Sequence, residues 1–85
     1  MKNIKKRLDR LGYYTYITPA YLVVARDSGY DEATTKYIDI DDFFCAVHKK
    51  EKQIKVTYNF ANISDEAFFD SESEVVRFIK KQFPV

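Results

Sequence analysis

The sequence predicts a small α+β domain: an N-terminal helix, a mostly antiparallel sheet of four to five strands, and a C-terminal helix packed on one face of the sheet. Three observations predict it. Apolar residues recur at helical spacing near both ends of the chain, strand-forming residues fill the middle, and 85 residues suffice for one domain only, here residues 1–85. Seven Tyr, seven Phe and a hydrophobic fraction of 46% are typical of a folded chain rather than a disordered one.

The N-terminal segment has the apolar pattern of an amphipathic helix. Ile4, Leu8 and Leu11 recur at i, i+4 and i+7, and basic residues occupy the other sides. Gly12 follows this stripe and suits a helix C-terminus, since glycine accepts the left-handed backbone conformation found there.

The middle of the chain is rich in residues that favour strands. Residues 13–25 are interrupted by Pro19, which lacks an N–H and therefore divides them into two strands or marks a bulge. Residues 34–40 predict a returning strand. Residues 53–60 alternate in period two, which predicts one buried face made of Ile54, Val56, Tyr58 and Phe60.

The C-terminal segment predicts a second helix. Ser71 is placed as its N-cap with Glu74 three residues later, which is the spacing of a capping box. Acidic residues begin the helix and basic residues end it, as the helix dipole favours, and Pro84 stops it. The predicted buried stripe consists of Val75, Val76, Ile79 and Phe83.

The single cysteine and the single histidine lie three residues apart in residues 42–51, which fit either a strand or an additional short helix. As a strand, this segment places Cys45 and His48 on opposite faces of the sheet. As a helix, it places Asp41, Cys45 and His48 on one stripe, where a thiolate–imidazole dyad or a partial metal site would fit.

Under both alternatives we expect no catalytic residue, metal or cofactor here. A lone cysteine is usually a small buried hydrophobe, and structural zinc needs four ligands. Asp39, Asp41 and Asp42 lack the glycine-bearing pattern of a calcium loop, and the two isolated glycines form no phosphate loop. We therefore expect a protein that is not an enzyme.

One cysteine allows no internal disulfide, which is typical of a protein that works in the cytoplasm. The basic N-terminus is followed by no apolar segment of the kind found in secretory signals, and no apolar run approaches the length of a membrane span. We expect a cytoplasmic protein without a membrane partner. Lys, Ile, Asn, Phe and Tyr, whose codons are AT-rich, make up 34 of the 85 residues, which indicates a low-GC bacterium or its phage.

Charge is nearly balanced at +1 but is distributed in blocks along the chain. Residues 2–10 carry a net +4, and residues 49–55 carry +3. Residues 27–42 and residues 64–74 each carry −5. Such blocks predict distinct acidic and basic surfaces, unless they meet across the fold and cancel.

The principal functional hypothesis is a protein-binding module that docks on a larger protein through acidic and tyrosine-rich surfaces, because tyrosine suits interfaces and acidic blocks match a basic partner. A homodimer is a second form of this hypothesis. In size, charge blocks and missing catalytic residues, the chain resembles small inhibitors or adaptors encoded by phages or mobile elements, whose targets include host defence and nucleic-acid-handling proteins. The predicted interaction residues are Asp31, Glu32, Asp39, Asp41, Asp42, Asp65, Glu66, Tyr14, Tyr16 and Tyr21.

The alternative is a small domain that binds RNA or single-stranded DNA through the basic first helix and a second lysine patch. The order helix–strands–helix resembles double-stranded-RNA-binding domains, but Glu72 and Glu74 stand where those domains place lysines. A pI near 7.8 is also low for such a domain. The residues predicted for this alternative are Lys5, Lys6, Arg10, Lys49, Lys50 and Lys52.

Overall fold

Seven elements follow one another along the parts of the chain that the structure, a computed structural model, describes: residues 1–26, 43–60 and 63–85. They confirm the predicted α+β class. The elements are α1 (Lys2–Arg10), β1 (Tyr14–Ile17), β2 (Leu22–Ala25), β3 (Phe43–Lys49), β4 (Ile54–Phe60), β5 (Ile63–Phe69) and α2 (Glu72–Gln82). The strand predicted over residues 34–40 lies outside the described residues.

The five strands form one sheet in the order β1-β2-β3-β4-β5, and every neighbouring pair is antiparallel. Pro19 acts as predicted: β1 ends before it, β2 begins after it, and the N–H of Thr18 donates to the carbonyl of Tyr21 to close the turn. The register aligns one residue from each strand in a row across the whole sheet. This row consists of Tyr16, Val23, Ala46, Thr57 and Glu66.

Both helices pack on the same face of the sheet. Ile4 and Leu8 of α1 join the apolar stripe of α2 in one buried cluster, and that cluster includes every second residue of the central strands. The strand residues in it are Leu22, Val24, Phe44, Cys45, Val47, Ile54 and Val56, of which Phe44 departs from the alternation. The row through Thr57 lies on the opposite face because neighbouring strand residues alternate. We call this opposite face, turned away from α1 and α2, the distal face.

The additional short helix considered for residues 42–51 is wrong for the described residues, since Phe43–Lys49 is a strand. A β-bulge explains why the apolar pattern of residues 42–51 fitted both a strand and a helix. Val24 pairs with Cys45 and Ala25 pairs with Phe43, so Phe44 is an extra residue in β3. Its ring lies 6.0 Å from that of Tyr13 and 5.1 Å from that of Phe83, within the helix-side core. Two consecutive residues, Phe44 and Cys45, therefore join the same core.

The strand β5 was not predicted, because polar residues make up its first half. It forms an edge of the described sheet and turns its two phenylalanines to opposite faces. The ring of Phe69 lies 5.0 Å from that of Phe78 in α2. Phe68 lies on the distal face and is 51% exposed. Only one of these two rings therefore contributes to the helix-side packing.

The two helices run in the same direction. Arg7 Nη1 donates a hydrogen bond to Ser73 Oγ (3.1 Å) near the beginning of α2. At the other end, a Cβ placed on Gly12 would lie 3.7 Å from a methyl carbon of Val85, beyond the end of α2. Gly12 adopts the predicted positive φ, here +100°, and ends α1. Leu11, predicted to be buried, is instead 39% exposed.

The second helix begins as the sequence predicts. The side chain of Ser71 accepts a hydrogen bond from the backbone N–H of Glu74 (3.3 Å) and so caps α2. At the other end of α2, the hydroxyl of Tyr13 donates to the carbonyls of Phe83 (2.6 Å) and Ile79 (3.3 Å). This buried hydroxyl joins the segment after α1 to the end of α2.

We predict opposite outcomes for two neighbouring tyrosine hydroxyls. Tyr13→Phe should lower the free energy of unfolding by about 1 kcal/mol, because it removes these hydrogen bonds to α2. Tyr14→Phe is the matched control: the Tyr14 hydroxyl is buried without a hydrogen-bond partner among the described residues, so its removal should be neutral or stabilising. Urea unfolding measures both variants. Equal destabilisation would contradict the assignment.

Candidate functional site

Cys45 and His48 lie on opposite faces of the sheet. Cys45 belongs to the buried cluster beneath the helices. His48 lies on the distal face, where its ring is 5.3 Å from that of Tyr21 and its Nε2 is 3.2 Å from Thr57 Oγ1. The strand separates the thiol from the imidazole, so these two side chains do not form a nucleophile–base pair or share a metal ion.

The environments of the two groups differ. Burial raises the pKa of the Cys45 thiol to about 12, which keeps it protonated at neutral pH. Burial also lowers the pKa of His48, and the positive charges of Lys55 and Lys50 lower it further. Nucleophilic catalysis by a cysteine needs an accessible thiolate with a lowered pKa. The buried Cys45 has a raised pKa and does not meet this requirement.

Within the described ranges, no three His, Cys, Asp or Glu residues are grouped so as to hold a metal ion together. Five of the acidic residues predicted to interact with a partner lie outside the described residues. These are Asp31, Glu32, Asp39, Asp41 and Asp42.

Four of the five remaining residues predicted for protein interaction lie on the distal face. The fifth, Asp65, pairs with Tyr58 and lies on the helix side of β5. Tyr14 and Tyr16 project from β1, with ring centroids 6.1 Å apart, and Tyr21 contacts His48. Asp65 and Glu66 belong to β5, at the opposite edge of the described sheet. Glu66 therefore shares the distal face with tyrosines that are about 50 positions away in the sequence, but four strand spacings of ~5 Å separate it from those of β1.

A concavity of about 560 Å³ lies at the β5 edge of the sheet, and residues of both faces line it. The carboxylate of Asp65 accepts hydrogen bonds from the Glu66 N–H (2.8 Å) and the Tyr58 hydroxyl (3.5 Å). Glu66 Oε2 lies 4.0 Å from Lys55 Nζ, and the side chain of Glu66 is largely exposed. The concavity is lined by Phe43, Thr57, Tyr58, Ser64, Asp65 and Glu66.

The basic residues predicted for nucleic-acid binding are not assembled into one surface. Lys5 is committed to the fold: its ammonium group donates to Asp9 (2.9 Å) and to the hydroxyl and carbonyl of Thr15. Burial acts to raise the pKa of Asp9, but hydrogen bonds from Thr15 and Lys5 and the charge of Lys5 outweigh it and lower that pKa. Lys5 is therefore a structural residue.

The other predicted basic residues divide between two places. Lys6 and Arg10 are exposed on α1. Lys49, Lys50 and Lys52 are exposed at the turn between β3 and β4.

A basic groove that the sequence did not predict runs between α1 and α2. Its volume is about 500 Å³. The only signal for it in the sequence is the helical spacing of basic residues on each helix, which cannot reveal that the two helices lie side by side. The groove is lined by Arg7, Arg10, Leu11, Ser73, Val76, Arg77 and Lys80.

Neither described helix has the length and apolar character needed to cross a bilayer. Comparison with known proteins gives no matching family model, no matching curated protein and no matching solved structure.

We predict that the thiol of Cys45 is inert in the folded protein. At pH 8 the native protein should react with 5,5′-dithiobis(2-nitrobenzoic acid) orders of magnitude more slowly than the protein in 6 M guanidinium chloride, because the buried thiol has a pKa of about 12. Release of thionitrobenzoate measures the rate. Fast labelling of native protein would contradict the buried position of Cys45.

Proposed function

We propose that this chain is a non-enzymatic protein-binding module that docks on a basic surface of a larger protein through its distal face. The observation that carries the proposal is the acidic concavity at the β5 edge, next to a half-exposed phenylalanine. Glu66 and Phe68 are two residues apart on the same strand and so project from the same face. An acidic side chain beside an exposed aromatic ring is a suitable receptor for a lysine or arginine with its aliphatic stem.

The acidic groups of the concavity are only weakly neutralised within the chain. The Lys55–Glu66 pair is long, at 4.0 Å, and exposed pairs of this kind contribute little stability. Asp65 accepts hydrogen bonds from a backbone N–H and a hydroxyl, and neither ion pair of the described residues involves it. A cation from a partner would therefore gain favourable interactions without first breaking a strong internal pair.

The tyrosines of β1 add a second exposed part of the proposed docking surface at the opposite edge of the described sheet, with the buried Val23 and Ala46 between them and Glu66. Tyr16 is 37% exposed at the far end of the row that ends in Glu66. Tyrosine buries a large area at low entropic cost and keeps a polar end, which is why it is enriched at protein interfaces. Tyr14, Tyr16 and Tyr21 would then form a rim opposite the acidic edge.

The charge of β5 favours a different protein over a second copy as the occupant. Antiparallel pairing of two β5 edges would bring Asp65 and Glu66 of one copy close to those of the other, and facing like charges are destabilising. A small inhibitor or adaptor acting in the cytoplasm fits this arrangement. Nucleic-acid-handling proteins are suitable targets, since they carry basic surfaces.

The test combines a charge reversal with loss of the exposed ring, Glu66→Lys with Phe68→Ser. The matched control is Glu51→Lys with Val85→Ser, which makes the same kinds of change at two exposed positions elsewhere. Tagged wild-type, test and control proteins are used to capture partners from a nuclease-treated lysate of a low-GC bacterium. We expect one protein to be retained stoichiometrically by the wild type and the control, and to be lost with the distal-face variant.

Reconstitution with that purified partner should show a Kd at least tenfold weaker for the distal-face variant, or about 1.4 kcal/mol of binding free energy. Equal affinity of the wild type and the distal-face variant would contradict the proposal. Light scattering of the isolated chain provides the second readout. Dimerisation of the wild type that the distal-face variant abolishes would identify a second copy as the occupant instead.

A further inference from the structure

The groove between α1 and α2 collects four cations from two helices that are distant in the sequence. Arg7 and Arg10 lie on one side, and Arg77 and Lys80 lie on the other. The parallel course of the helices produces this arrangement, because it sets the second half of α1 beside the middle of α2. The groove is on the opposite side of the molecule from the distal face.

None of the four cations forms an ion pair within the described parts of the chain. Residues 1–26, 43–60 and 63–85 contain two ion pairs, Lys5–Asp9 and Lys55–Glu66, and neither involves the groove. Arg7 donates to the hydroxyl of Ser73, which is a neutral acceptor. The positive charges therefore repel one another across the groove, and a bound anion would relieve that repulsion.

Chemistry and size favour a polyanion as the occupant. Three of the four cations are guanidinium groups, whose planar forks match phosphate oxygens in bidentate geometry. A volume of about 500 Å³ exceeds the needs of a single small anion. The apolar part of the lining is Val76, which is buried, and the half-exposed Leu11, so it offers no deep pocket to anchor an apolar side chain of an acidic protein segment.

The described residues that line the groove include no aromatic ring. Proteins that bind single strands stack bases on aromatic side chains, whereas contacts to a duplex backbone need only positioned cations and hydrogen-bond donors. The groove has the positioned cations and hydrogen-bond donors that contacts to a duplex backbone need. We propose that it binds the phosphate backbone of double-stranded nucleic acid without reading its sequence.

This inference does not rest on the proposed docking function, since it involves different residues on the other side of the sheet. Together the two surfaces would let the chain contact a nucleic-acid-handling protein and its nucleic acid at the same time. The inference also differs from the sequence-based alternative, because it replaces Lys5 and the turn lysines with Arg7, Arg77 and Lys80. Arg10 belongs to both.

The experiment measures fluorescence anisotropy of a labelled 20-base-pair DNA duplex of mixed sequence as the isolated chain is added at several salt concentrations. Neutralising four phosphates predicts that the logarithm of the binding constant falls against the logarithm of salt concentration with a slope of about −3.6. Arg10→Gln with Arg77→Gln should reduce the steepness of that slope by about two and weaken binding at 50 mM salt at least tenfold. Glutamine is a good helix former, so circular dichroism should show intact folding.

The matched control is Lys50→Gln with Lys52→Gln, which makes the same change in net charge at the turn between β3 and β4. We expect it to keep the wild-type slope. Arg10→Lys with Arg77→Lys should also keep that slope, because the positive charges remain. The distal-face variant, Glu66→Lys with Phe68→Ser, should still bind the duplex at least as tightly as the wild type, so failure of one proposal is separable from failure of the other.

Three results would overturn the inference. The first is no binding of the duplex at 50 mM salt. The second is an equal loss in the groove variant and the turn variant, which would mean that net charge alone governs binding. The third is binding of a labelled 20-residue polyglutamate peptide as tightly as the duplex with the same sensitivity to Arg10→Gln and Arg77→Gln, which would assign the groove to acidic protein segments.

Discussion

The rest of the described structure depends on one constraint: the large apolar cluster that both helices join lies on a single face of the sheet. Ile4 and Leu8 of α1 and the stripe of α2 meet Leu22, Val24, Val47 and Val56 there, and neither helix reaches the other face. On the distal face, the inner residues Val23, Ala25 and Ala46 are also buried, whereas Tyr16 and Phe68 are exposed toward its two edges. The outer surfaces of the helices are left to charged residues.

Local chemistry made the two ends of the fold predictable. The apolar spacing of α1, the positive φ of Gly12 and the cap from Ser71 to Glu74 are all short-range features that one segment determines. Residues 43–49 were ambiguous for a physical reason, since the bulge at Phe44 places two consecutive residues in one core and breaks the alternation of a regular strand. An edge strand such as β5 needs few apolar residues. The polar run Ser64, Asp65 and Glu66 therefore gave no strand pattern in the sequence.

The surfaces were predictable only in part, because composition identifies charged residues but not their partners. Glu66 and Tyr16 were selected from the sequence, and the fold places them on the distal face on which the docking proposal rests, whereas Asp65 lies beside Glu66 on the helix side of β5. Lys5 was selected on the same grounds, yet Asp9 and Thr15 occupy its ammonium group. Arg7 and Arg77 become neighbours only through the parallel packing of the helices, which no local pattern encodes.

Adjacent phenylalanines in β5 offer the most direct test of a one-sided core. In an NMR experiment with a neutral gadolinium chelate in the solvent, ring protons of Phe68 should relax much faster than those of Phe69, because Phe68 is 51% exposed while Phe69 packs against Phe78. The ring protons of Phe44, within the core, should be still better protected. Equal protection of Phe68 and Phe69 would show that the distal face is covered and would contradict the account.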